Sequence, residues 1–155
     1  MKPLLLLALF ILSTFTTLAC DCLMMPVEHH IKNTSYLLTA EVVEILDART
    51  PEGRAYRHWL RISNQDSTRG FNVRLRVLES FKGKFVANDT IELQSDYSSC
   101  SMHFALGEKS ILFLHEEKKG LFITPCSYSN RLNGSKYAND LQRKIQTRTR
   151  RKRRD

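Results

Sequence analysis

Apolar and polar side chains alternate most cleanly between residues 71 and 78. Phe71, Val73, Leu75 and Val77 fall on one side, and Asn72, Arg74 and Arg76 on the other. That two-residue period is the mark of a strand with one buried face. Residues 36–46 read as a long strand whose alternation improves after Ala40, with Val42 inward and Glu41 and Glu44 flanking. Residues 90–93 make a further strand. Ile111, Leu112, Phe113 and Leu114 run without a polar interruption, as in a strand covered on both faces, and 121–124 follow across a Lys-Lys-Gly turn. Residues 47–70 are polar and punctuated by Pro51, Gly53 and Gly70, and within them 56–62 alternate like a half-exposed strand or hairpin arm.

Helical spacing occurs at both ends of this β-rich stretch. Pro26 suits the first turn of a short helix over 26–32, with Val27 and Ile31 facing inward. After Asn133 and Gly134, the four-residue recurrence of Tyr137, Leu141 and Ile145 predicts a helix that docks on the domain. Five or six antiparallel strands in little over a hundred residues suit a small closed barrel, which has no free edges. A sandwich is the alternative.

The ends of the chain change the picture. Residues 1–19 read as a secretory signal: Lys2, an unbroken apolar run from Leu4 to Leu12, then Thr17-Leu18-Ala19 at the cleavage site. The run is far short of the ~20 residues that span a bilayer, so the expectation is a secreted chain beginning at Cys20. A lipid anchor on Cys20 at the cell envelope is the alternative, since Leu18-Ala19-Cys20 partly fits a lipoprotein site. The formal net charge of +8 suggests an anionic partner until it is located. Of the 24 Lys and Arg, Lys2 and the eight in Arg143, Lys144, Arg148, Arg150, Arg151, Lys152, Arg153 and Arg154 lie outside residues 21–142, which hold 15 cations against 15 acids. The excess is a terminal basic tail, expected to be disordered near its end and suited to a polyanionic polysaccharide or an anionic membrane surface. A neutral body and few strand-face aromatics speak against nucleic acid.

Four cysteines in an exported chain point to disulfides. Of the three possible pairings, the one joining Cys20 to Cys22 is disfavoured by strain across a single intervening residue. The N-terminal pair is thus expected to reach Cys100 and Cys126, in an order that the residues leave open. No C-x-x-C pair offers a zinc site. His29, His30, His58, His103 and His115 form no H-E-x-x-H, and neither G-x-S-x-G nor a P-loop occurs. The chain reads as a non-enzyme without a cofactor.

Several segments, in order, resemble the N-terminal domain of the tissue inhibitors of metalloproteinases, a netrin-like module. They are Cys20-Asp21-Cys22 with the proline-containing helix and strand that follow, residues 77–83, Ser98-Ser99-Cys100, residues 106–112 and residues 123–126. The resemblance covers residues 20–132, with residues 133–155 left as C-terminal helix and tail. It implies an OB-fold-like five-stranded antiparallel barrel and the bridges Cys20–Cys100 and Cys22–Cys126. It also implies a metalloendopeptidase inhibitor, in which the freed amine and carbonyl of Cys20 take the open position on a target protease's zinc. Asp21 would enter the specificity pocket, with Cys22, Ser98 and Ser99 along the same protease-contacting ridge. The family usually has Thr or Ser where this chain has Asp21, and an unpaired carboxylate in an apolar pocket costs on the order of several kcal/mol. The alternative is a non-inhibitory netrin-like binding module, secreted or lipid-anchored, held at anionic surfaces by its tail.

Overall fold

The computed structural model describes residues 25–63, 68–95, 97, 101–118, 120–124 and 126–152, the last three by backbone alone. The chain is mainly β, with α1 (Val27–Asn33), β1 (Tyr36–Ile45), a short 3-10 turn (Asp47–Arg49), α2 (Pro51–Ile62), β2 (Arg69–Gly70), β3 (Val73–Lys82) and β4 (Thr90–Leu93). There follow β5 (Phe104–Ala105), β6 (Lys109–Glu117), β7 (Gly120–Ile123), β8 (Asn130–Arg131) and α3 (Lys136–Lys152).

Five strands close into a barrel. β1 pairs with β3 on one side and β6 on the other, and the circuit runs β1-β3-β4-β7-β6 back to β1. Register shifts along the β1–β3 ladder, at Leu37/Leu38, Thr39/Ala40 and Val42/Glu44, coil the strand so that it can serve both neighbours. β8 extends the pairing at β6, while β2 and β5 form a separate small ladder. The expectation of an all-antiparallel barrel needs correction, because β4 and β7 meet in parallel at Leu93 and Leu121. Periodicity reports which face a strand buries but not its direction.

The strand patterns have a direct structural origin. The alternating set Val73, Leu75 and Val77 points into the barrel with Leu38, Ala40, Val42, Ile91, Leu93, Leu112 and Leu114. The uninterrupted run in β6 is covered on both sides. Leu112 and Leu114 face the barrel interior, whereas Ile111 and Phe113 face a second cluster with Val27, Leu37, Leu141 and Ile145. That second cluster seats α1 and α3 on the barrel's outside. Lys82 Nζ, from the end of β3, donates to the carbonyls of Ile31, Lys32 and Thr34 at 3.1, 2.8 and 2.5 Å. A cation thus satisfies the free carbonyls at the C-terminal end of α1.

Residues 56–62 are helical rather than a strand or hairpin arm. Thr50 caps α2, its Oγ1 accepting from the Gly53 amide at 3.0 Å, and Pro51 opens the first turn. Gly53 and Leu60 are the buried positions of α2. Gly53 has a specific reason to lack a side chain: a Cβ there would sit 2.1 Å from the Asp47 carbonyl oxygen and 2.3 Å from Tyr97 Oη. At the other end, α3 continues through most of the basic run to Lys152 rather than giving way to coil. Arg and Lys are good helix formers, and cations are favoured near a helix C-terminus. Its docked stripe is Ala138, Leu141 and Ile145, while Tyr137 stays half exposed.

Candidate functional site at the cysteine-bearing segments

Cys20, Asp21, Cys22, Ser98, Ser99, Cys100, Arg153 and Arg154 lie outside the described residues. What the structure gives is the setting of the chain on either side of them. Cys126 is the one described cysteine, and it is disulfide-bonded. Its partner lies outside the described residues.

The N-terminal approach is fixed by an aromatic nest. Tyr128 Oη, two residues past Cys126, donates to the carbonyl of Met25 at 3.0 Å. The Tyr128 ring meets the His30 ring edge-on at a centroid distance of 5.0 Å, and His30 stands edge-on to Phe113 at 6.4 Å. Burial lowers the His30 pKa, and the neighbouring His29 and His115 add to the effect. Met25 and the chain just past Cys126 are therefore packed together.

The described residues on either side of the connector that carries Ser98, Ser99 and Cys100 are held by polar contacts. Upstream, the fully buried Asp47 carboxylate accepts from the amides of Asn72 at 2.8 Å and Phe71 at 3.2 Å, and from Tyr97 Oη at 3.2 Å. Asn72 in turn donates to Tyr97 Oη and accepts from the Ser95 amide at 2.7 Å. Burial is the main reason that the Tyr97 phenol is held above its ordinary pKa, with the Asp47 charge adding to it. Downstream, Arg69 and Arg131 both donate to the His103 carbonyl, at 3.1 and 2.8 Å. Glu108 accepts from the same two guanidiniums, each at 2.8 Å. The His103 pKa is lowered by burial first, then by the charges of Arg69 and Arg131.

An open cleft of about 360 Å³ borders Phe71 and Ser95. Ser101 and Met102, just past Cys100, line it together with Phe122 and Ile123 of β7, which leads toward Cys126. Burial lowers the pKa of His115 on the adjoining strand β6, and the Lys82 charge lowers it further. Among the described residues no group of His, Cys, Asp and Glu is placed to hold a metal ion, and no helix is long and apolar enough to cross a membrane. Asp47, Asn72, Tyr97, Arg69, Glu108, Arg131 and Tyr128 were not legible as a supporting framework. The one local signal was the helix start at Thr50 and Pro51, which places Asp47 at a strand-to-helix junction. No protein-family model and no curated protein sequence matches the chain.

Of the basic residues, Arg143, Lys144 and Arg148 lie on α3, whose backbone also carries positions 150–152. Arg148 is tied to Glu28 of α1 at 3.1 Å, and Arg143 is 3.9 Å from Asp140.

Proposed function

We propose that this protein is a netrin-like, OB-type barrel that inhibits a zinc metalloendopeptidase through the mature N-terminal Cys20. The observation that carries the reading is the Tyr128–Met25 hydrogen bond, which holds Met25, three residues after Cys22 in sequence, against the segment following Cys126. Two further features support it. The barrel circuit, with its single parallel pairing between the third and the last strand, follows the OB-type order. The cleft sets the residues after Cys100 beside the strand that leads to Cys126.

In this reading, bridges Cys20–Cys100 and Cys22–Cys126 fasten the first mature residues to a framework that is already rigid. A ridge ordered before binding loses little entropy on docking. The Cys20 amine and carbonyl would occupy the target's open zinc position in place of its water. Ser98 and Ser99 would lie beside them, and Asp21 would set the fit to the specificity pocket.

The test uses the mature protein with a free Cys20 amine against a panel of zinc endopeptidases, read with a fluorogenic peptide. Inhibition of at least one enzyme is expected, and placing one alanine before Cys20 should abolish it. Asp21→Thr should strengthen it at least severalfold, because no carboxylate then loses its hydration. Absence of inhibition by the uncapped protein across the panel would end the proposal.

A further inference from the structure

We propose that the solvent-facing side of α3 is a binding site for a linear sulfated polysaccharide. The inference goes beyond the protease reading, since Cys20 takes no part in it. Its starting point is the way α3 is used. Ala138, Leu141 and Ile145 bury one stripe of the helix against the barrel. Helical register then places Lys136, Asn139, Asp140, Arg143 and Thr147, and positions 150 and 151, on the opposite side, with Lys144 on the flank beside α1. Four of those seven positions are Lys or Arg and one is acidic. The cations fall in three tiers two turns apart, along a rod of about 20 Å at 1.5 Å per residue.

Several surface cations elsewhere are paired with acids. Arg74 and Arg49 both stand against Glu44 and Glu92, Arg76 against Glu41, and Lys84 against Glu116. Arg148, on the flank of α3 nearest the barrel, is used up by Glu28. On the outer side, Arg143 is 78% exposed and reaches only Asp140, at the 3.9 Å limit of an ion pair. Like charges crowded on one helix side repel one another, and a polyanion laid along the helix relieves that repulsion.

The same geometry chooses among polyanions. Firm seating on a bilayer needs an apolar face to insert as well as charge, and this helix has already used its apolar stripe on the barrel, which leaves only surface attraction for a membrane. Single-stranded nucleic acid needs stacking aromatics along its track, and the exposed side offers only Tyr137, near one end. A flexible chain of sulfates needs only the tiers of charge. The export signal read in residues 1–19 would deliver the protein to where such chains occur.

The experiment measures equilibrium binding of the full mature chain to a defined heparin fragment at low and at elevated salt. Tight binding that weakens steeply with salt is expected, because these charges are exposed and screened. The double variant Lys136→Gln/Arg143→Gln should weaken binding by roughly tenfold or more, for two cations near an anionic surface. Lys136→Gln alone should shift it in the same direction. Arg148→Gln and the α2 pair Arg57→Gln/Arg61→Gln should stay within about twofold of the parent. Retained affinity in the double variant, or an equal loss in the Arg148 or α2 variants, would overturn the assignment. So would binding to phosphatidylserine vesicles or single-stranded DNA as tight as to the polysaccharide.

Discussion

Asp47 illustrates how much a single buried carboxylate can organise. It receives two backbone amides and a phenol, and its own main chain leaves no room for a side chain at Gly53. Removing it would strand those donors in a place that water does not reach. Asp47→Ala should lower stability by about 3–5 kcal/mol. Asp47→Asn keeps one acceptor oxygen for the Asn72 amide and should cost only about 1–2 kcal/mol. Urea midpoints of the two variants would check the ranking, and equal midpoints would show that Asp47 does not anchor those donors. In sequence, Asp47 was one acid in a polar stretch. Its burial arises from contacts with residues 71, 72 and 97, so no local pattern discloses it.

At the scale of elements, the parts most legible were those with a single dominant pattern. β3 alternates because only one of its faces is buried, and β6 is uninterrupted because α1 and α3 cover its other face. α2 departs from the strand expected over 56–62 because its side chains satisfy two periods at once. Tyr56, His58, Leu60 and Ile62 alternate with Arg57, Trp59 and Arg61, yet Gly53 and Leu60 also share one helix face. The Thr50 cap and Pro51 settle the matter in favour of helix. α3 is legible in place but not in extent, since no apolar stripe marks its continuation from Ile145 to Lys152. Its docked stripe implies a measurable role. Deleting residues 136–155 should lower stability by about 4 kcal/mol, mainly from burial of Leu141 and Ile145. An unchanged denaturation midpoint would mean that α3 is not held by the barrel.

Across the whole molecule, the half-buried histidines lean the same way. His30, His103 and His115 come from α1, the connector and β6, and burial is the first cause of the lowered pKa of each. A histidine whose folded pKa lies below its unfolded value of about 6.5 takes up more protons when the chain unfolds. Stability is therefore full above that value and falls as pH drops below it. The carboxylates of Glu41, Glu92 and Glu116, held low chiefly by hydrogen bonds from Arg76, Arg74 and Tyr36 respectively, extend the loss to more acid conditions. The melting temperature should decline steadily from about pH 7 to about pH 4. A melting temperature that rises over that range would contradict the shared direction.

The double pairing of β1 also bears on when the chain can fold. β1 meets β3 within some forty residues of chain, but its other edge waits for Leu112–Leu114 of β6, about seventy-five residues later. Until that stretch has been synthesised, β1, β3 and β4 form an open meander whose first strand offers an unpaired, apolar edge. Closure by so distant a partner gives the barrel a high contact order and hence slow folding. The half-made sheet is the state most exposed to pairing with another copy of itself. A chain of this design gains from being kept unfolded until its second half is complete.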